Sequence, residues 1–464
     1  MRCSKAVLAS SGRCVAVAID WMRALLPTRC VLSSSQAVAR QGADSVSVRL
    51  SHVDTQSQAQ LDGFKSRALQ SKPSTPVQHL YMTEWRSLDA AAAGQVGVML
   101  QIGDISGPAD REGLSLVAAQ HEPAVTAAVG SWAAVAATVA TQHGSVAPLP
   151  LFALEVAFAT VQAQASTMPT PQVWLLTRGS PEHAGARGLG RSVRAEASLP
   201  VRCIDGAATV AFEQPRMQAE PEVVLRPDVC LVPRLARAHQ AAHSARDASA
   251  HLVTGGTGGL GLLTARWLAQ RGGAHSLVLA SRSGVLARDT TMQWTGVQGT
   301  NVATLVQRCD TAEGAHVGRL VAHVTEAASA VGVWHAAGTL ADGVLPGQTA
   351  TALARVYAPK AHGAWALACA SAMAVVRTCA LFSSVAALLG GAGQANYSAA
   401  NACLDALASR RHTCARETTA VQWGAWAEVG MAARGAAAKR MAAMEAASGF
   451  LRIEPAQGLG ALHA

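Results

Sequence analysis

The chain has three tyrosines, at 81, 357 and 397, and the last stands where it could do chemistry. An apolar, strand-like segment ends in Ser383-Ser384, a glycine-rich loop follows, and Tyr397 opens an alanine-rich stretch of helical composition. On that helix Tyr397 and Asn401 are four residues apart and share one face. A phenol with a pKa near 10 is a poor proton donor at neutral pH unless its phenolate is stabilised. Taken alone, such a tyrosine is more often a packed aromatic; a second feature upstream gives it a purpose.

That feature is a glycine turn. Leu252-Val253-Thr254, apolar and β-branched, runs into Gly255, Gly256, Thr257, Gly258, Gly259, Leu260 and Gly261, and the helix-forming segment 262–270 follows. Gly256, Gly258 and Gly261 fit G-x-G-x-x-G with a strand before and a helix after. In that context a pyrophosphate can approach bare backbone and meet the unpaired N–H groups of a helix start. The next strand-like run, 276–280, ends in Ser281, Arg282, Ser283 and Gly284. An acidic residue here would suit the ribose of NAD; a guanidinium flanked by hydroxyls suits a 2′-phosphate, so NADPH is expected. The bland alternative for Arg282 is a solvated surface arginine. Asp310, at the end of a third strand, is suited either to an adenine amino group or to capping a helix. After Trp334 and His335, the small residues Ala336, Ala337 and Gly338 would let a nicotinamide ribose lie close to backbone.

The elements that must position these groups fall into four regions. Residues 1–76 read as an unassigned leader and linker, Ser/Gln/Arg-rich with little periodicity, ending in a Pro-rich stretch. Residues 77–235 show a strand–helix alternation without a glycine fingerprint after the first strand. Residues 236–250 form a polar connector. In 251–464 the alternation restarts and carries all of the chemistry above. The fold class expected is α/β: two tandem Rossmann-like subdomains, the first truncated and structural, the second a doubly wound parallel sheet.

Composition narrows the function. Of 464 residues, 50% are hydrophobic and 14% charged, which excludes a mostly disordered chain. The net charge, 38 − 29 = +9, falls in no long basic run, so nucleic acid is not an expected partner. Ten cysteines include no C-x-x-C pair, which leaves no zinc or thioredoxin spacing; buried reduced thiols and no metal are expected. The stretch 123–157 is rich in Ala and Val but too interrupted for a membrane span; it reads as a soluble helix. A cytoplasmic protein is expected, with a faintly transit-peptide-like start left open.

From about Leu80 onward the chain resembles the ketoreductase domain of modular type I polyketide synthases, relatives of the short-chain dehydrogenases, with animal-type fatty acid synthases as near neighbours. The resemblance rests on 254–261, on Ser281 to Gly284, on His335 to Gly338, on the block from Phe382 to Asn401, and on Trp423-Gly424-Ala425-Trp426. It implies a catalytic lysine in Ala358-Pro359-Lys360-Ala361-His362, and hence a tetrad of Lys360, Ser384, Tyr397 and Asn401. In the implied roles, Ser384 orients the substrate carbonyl and Tyr397 protonates the developing alkoxide. Lys360 makes the phenol acidic, and Asn401 fixes a water or the lysine.

The resemblance also implies NADPH as cofactor, and as substrate a β-ketoacyl chain linked to the phosphopantetheine of an acyl carrier protein. Further polyketide synthase domains are implied as partners. Members that form D-hydroxyls carry Leu-Asp-Asp where this chain has Leu340-Ala341-Asp342, and the opposite class carries Trp where it has Leu389; a D product is expected. Trp423 and Met431 belong to segments resembling the substrate wall and mobile lid. The marks of a truncated first subdomain are present at 80–85, 174–179 and 188–191, and no carrier-domain attachment motif is seen. Whether the chain is part of a larger multienzyme or acts in trans stays open. A catalytically silent scaffold and a free short-chain dehydrogenase are the alternatives, the second disfavoured by Asn401 standing four after the tyrosine.

Overall fold

The computed structural model describes strands within 35–64, residues 80–88, 100–102, 134–138, 150–168, 170–177, 181–206, 220–226, 229–238, 248–271, 273–287, 290–413, 418–430 and 451–463, and two isolated positions. The chain divides into two units, Met1–Val77 and Gln78–Ala464.

The first unit contains an antiparallel meander of β1 (Ser35–Gln41), β2 (Val46–His52) and β3 (Gln58–Phe64). The expected lack of periodicity is corrected here. In β2, Val46, Val48 and Leu50 alternate with Ser47, Arg49 and Ser51, the period-two pattern of a strand.

The second unit holds two sheets. The first contains β4 (Tyr81–Ser87), β5 (Leu100–Ile102), β6 (Ala134–Thr138), β7 (Gln172–Thr177), β8 (Val201–Asp205), β9 (Glu222–Arg226) and β10 (Val229–Arg237), in the order β4-β10-β9-β8-β7-β6-β5. Strands β5 to β9 are parallel neighbours in chain order, and β10 pairs antiparallel with both β9 and β4. Helices α1 (Pro150–Ala165) and α2 (Gly185–Ala197) pack in this half. The helix expected across 123–157 is thus corrected. β6 occupies its middle and α1 begins at Pro150, a residue preorganised for a first helical position. Pairing with β5 and β7 overrides the helix preference of alanine.

The second sheet is parallel throughout: β11 (Ala250–Thr254), β12 (Ser276–Ser281), β13 (Ala303–Arg308), β14 (Val331–His335), β15 (Val376–Ser384) and β16 (Thr418–Trp423), ordered β13-β12-β11-β14-β15-β16. Every residue of β11 and β14 is buried, as strands covered on both faces require. The order reverses between β11 and β14, so a crevice opens at their carboxyl ends.

Around this sheet lie α3 (Gly259–Arg271), α4 (Thr291–Gln298), α5 (Gly314–Ala327), α6 (Ala350–Tyr357), α7 (Gly363–Ala370), α8 (Val385–Leu389), α9 (Ala395–Thr413) and α10 (Pro455–His463). One apolar core joins the first sheet to helices of the second half. Leu154, Phe158, Leu189 and Val193 from α1 and α2 cluster with Ala395, Ala399 and Cys403 from α9. Gly188 allows the closest approach: a Cβ there would lie 2.2 Å from the Ser398 carbonyl oxygen. The connector boundaries shift slightly, since β10 runs to Arg237 and β11 begins at Ala250.

Among the described residues Cys203, Cys230, Cys309 and Cys403 are buried free thiols. Burial pushes Cys203 up to about 11 and Cys403 up to about 12, which suppresses their thiolates. No described helix is long and apolar enough to cross a membrane.

Candidate active site

The glycine turn joins β11 to α3 at the crevice. Gly255 has φ +69°, and a Cβ on it would sit 2.7 Å from the Ala336 carbonyl oxygen. Gly261 packs still closer, with its would-be Cβ 2.2 Å from Gly255 O. Only Gly255 O, at 3.3 Å, limits the space beside Gly258, so the turn leaves bare backbone beside the first N–H groups of α3. With Thr257, Gly259 and Leu260 completing the turn, these residues fit a pyrophosphate.

Arg282 and Ser283 are exposed just past β12, beside Ser281. Ser281 is in register with Arg308, the exposed last residue of β13. The Arg308 side chain also flanks Gly284, whose would-be Cβ lies 3.2 Å from Arg308 Cβ. A second arginine, absent from the sequence-based expectation, therefore borders the segment Ser281 to Gly284. Asp310 accepts from the Ala312 N–H at 3.1 Å, forming a turn ahead of α5. Of the two roles left open for it, this bond matches the local one and leaves its second oxygen for an amino group.

The proton-transfer groups gather around the ends of β14 and β15. Ser384 closes β15 and caps α8, accepting the Ala386 N–H at 3.2 Å. Lys360 lies in a π-helical turn, Ala358–His362, between α6 and α7; Pro359 cannot continue the ordinary ladder, and the widened turn accommodates it. The lysine is 3% exposed. Its Nζ donates to Phe382 O at 2.7 Å and lies 5.4 Å from the Tyr397 ring centroid. Burial lowers Lys360 to about 8, against an opposing pull from the Asp405 carboxylate. A Cβ on Gly338 would fall 3.1 Å from Lys360 Cε. With Ala336 and Ala337, Gly338 keeps that approach open.

Two of the implied roles meet further interactions in this structure. Burial raises the pKa of Tyr397, the phenol that Lys360 is expected to acidify, and hydrogen bonds from Asn401 and Ser384 partly offset this. The lysine directs its proton to Phe382 O and faces the ring, so desolvation of the phenolate dominates. Asn401, expected on a water or the lysine, donates from Nδ2 to Tyr397 O at 2.8 Å, and its Oδ1 is buried with no partner among the described residues.

The structure adds His335. Its Nε2–H donates to Lys360 O at 2.9 Å, so its Nδ1 accepts from Thr254 Oγ1 at 2.7 Å. Burial lowers it to about 4, which keeps the imidazole neutral in this bridge. Asp405 was also missed; it lies near Lys360, accepts from Gln422 Nε2 at 2.7 Å, and is raised by burial.

Asp342 is exposed, with Gln394 Nε2 3.4 Å from each of its carboxylate oxygens, and Leu389 is exposed on α8. Trp423 is expected beside the substrate. It lies in the core, 5.8 Å from the Phe382 ring and 5.0 Å from Trp426, because strand alternation turns it inward. Met431 lies outside the described residues. Among the described residues no group of three or more His, Cys, Asp or Glu could hold a metal ion.

Residues 249–428 match the family model for the KR domain. The polyketide synthase GfsB of Streptomyces halstedii is 46% identical over 192 residues, which is 41% of this chain and 3% of that protein. GfsA of the same organism is 35% identical over 317 residues, covering 62% and 4%. The chain thus spans a small fraction of the curated relatives it matches. Among solved structures, A-type ketoreductases from a modular polyketide synthase align with a TM-score of 0.71 and 28% identity, over 83% of this chain and 90% of that one. The first ketoreductase of the tylosin PKS aligns with a TM-score of 0.67 and 26% identity, over 83% and 89%.

Proposed function

We propose, from the premise that residues 249–428 are a ketoreductase domain of the modular polyketide synthase kind, that the chain reduces a β-ketoacyl thioester to the β-hydroxyacyl thioester. The substrate is carried on the phosphopantetheine arm of an acyl carrier protein, in the cytoplasm and alongside other polyketide synthase domains. The observation that carries this reading is the convergence of Lys360, Ser384 and Tyr397 beside the glycine turn, with the lysine over the tyrosine ring.

Bound NADPH supplies the hydride; the turn 255–261 fits its pyrophosphate, and Arg282 with Arg308 fits its 2′-phosphate. Ser384 and Tyr397 hold the carbonyl oxygen, and Tyr397 passes its proton to that oxygen as negative charge builds there. A raised phenol pKa keeps that proton on Tyr397 until the alkoxide forms. The Lys360 ammonium over the ring offsets part of the burial cost of the phenolate left behind, and Asn401 holds the Tyr397 backbone. Asp342 and Leu389 favour entry of the acyl chain on the side that yields a D-hydroxyl.

The test is reduction of a β-ketoacyl N-acetylcysteamine thioester with NADPH, followed by chiral analysis of the product. Tyr397→Phe is expected to lose ~10³-fold in rate while still binding NADPH, as read by cofactor fluorescence. An unaffected rate overturns the assignment. A wild-type chain that binds NADPH but never turns over supports the silent scaffold instead.

A further inference from the structure

We infer that Glu196, a residue of the non-catalytic half, is a positioning residue for the substrate mouth. Its carboxylate holds the Asp342 loop against the loop that leads into Tyr397. Oε1 accepts the Leu345 N–H at 2.6 Å, three residues after Asp342, and Oε2 accepts the Gly393 N–H at 2.8 Å, four residues before Tyr397. An ionised carboxylate only accepts, so it suits two backbone donors from two segments. No cation pairs with Glu196 among the described residues.

The two loops also meet directly. Gly343 N–H donates to Gly393 O at 2.9 Å, Asn396 Nδ2 donates to Ala341 O at 2.7 Å, and Gln348 Nε2 donates to Gly393 O at 3.3 Å. These bonds fix the pair as a body; Glu196 fixes where that body stands. Its own frame is rigid, because Gly188, Ser192 and Glu196 recur every four residues along one face of α2. Gly188 packs on the Ser398 backbone, and Ser192 Oγ donates to Ser398 Oγ at 2.7 Å while accepting the Gly391 N–H at 3.1 Å. Helix α2 is therefore seated on the catalytic helix α9, and Glu196 reaches from that seat to the two loops. The first sheet's layer in this way helps to set which face of the ketone the site accepts.

This inference rests on the proposed ketoreduction, and its test separates the two. In the full chain, Glu196→Ala and Glu196→Gln are compared with wild type by amide hydrogen exchange, by KM and kcat on the thioester surrogate, and by the enantiomer ratio of the product. Glu196→Ala is expected to speed exchange at Leu345 and Gly393 about tenfold, the loss of one charge-assisted hydrogen bond. It is also expected to raise KM several-fold and lower the enantiomer ratio, with NADPH affinity unchanged. Glu196→Gln, able to accept only on its one amide oxygen, should fall between. Unchanged exchange at both amides, or faster exchange with KM and enantiomer ratio intact in both variants, overturns the inference. A wild-type chain that reduces no ketone defeats the functional reading, while the exchange result still decides whether Glu196 holds the loops.

Discussion

Replacing Lys360 by methionine should make the protein more stable while it loses most of its activity. The lysine is 3% exposed, and burial lowers its pKa from 10.5 to about 8. A shift of that size corresponds to about 3 kcal/mol of native-state penalty on the charged form. Methionine of similar length carries no such penalty but gives up the charge-assisted bond to Phe382 O, worth ~1.5–3 kcal/mol. The net gain is at most about 1.5 kcal/mol near neutral pH, or a rise in Tm of roughly 3 °C.

The sign of the pH dependence follows from the depressed pKa. Below about 8 the folded lysine is charged and the full penalty is present. Between that value and 10.5 the unfolded chain binds more protons than the folded one, so wild-type stability rises with pH. The stability gap to Lys360→Met should therefore close over that window. Calorimetry and denaturant titration at several pH values measure it, and a variant less stable than wild type near neutral pH would refute the reasoning. The rate offers an independent check. Wild-type ketone reduction, followed by loss of reduced-nicotinamide absorbance, should fall as pH rises through about 8. Lys360→Met should retain only ~1% of the rate and lack that limb.

Arg282→Ala or Arg308→Ala should each weaken NADPH binding about tenfold while barely changing NADH binding, since a charge-assisted bond to a phosphate is worth ~1.5–3 kcal/mol; equal loss with both cofactors, read by fluorescence titration, counts against the 2′-phosphate assignment. His335, held neutral at about 4 against an ordinary 6.5, should make the protein lose stability as pH falls from the higher value toward the lower. Denaturant midpoints of His335→Gln should show a shallower acid slope, and its rate profile should shift because the Lys360 carbonyl loses its donor.

The local signals were legible because they are local. The strand–glycine–helix sequence at 252–270 and the four-residue spacing of Tyr397 and Asn401 depend on neighbours in the chain, and the structure places them on the elements expected. The burial of Trp423 was not legible because its place at the end of the last strand says nothing of which way strand alternation turns the indole. The strand at Ala134–Thr138 was missed because alanine favours helices until sheet partners on both sides supply the opposing preference. Glu196, His335 and Arg308 escaped as site residues because what makes them relevant is what they face, and their partners come from other strands and loops.

The amino-acid sequence by itself determined the α/β class and the strand–glycine–helix turn and marked the candidate proton-transfer groups, since backbone conformation at glycine and hydrogen-bonding side chains are properties of single residues and short spacings. Only the tertiary structure decided their electrostatics and alignment. Burial raised the Tyr397 phenol and lowered Lys360, and the seating of α2 on α9 brought Glu196 to the loops on either side of the mouth. Desolvation and long-range hydrogen bonds depend on which distant segments pack together, and no short window of residues contains that information.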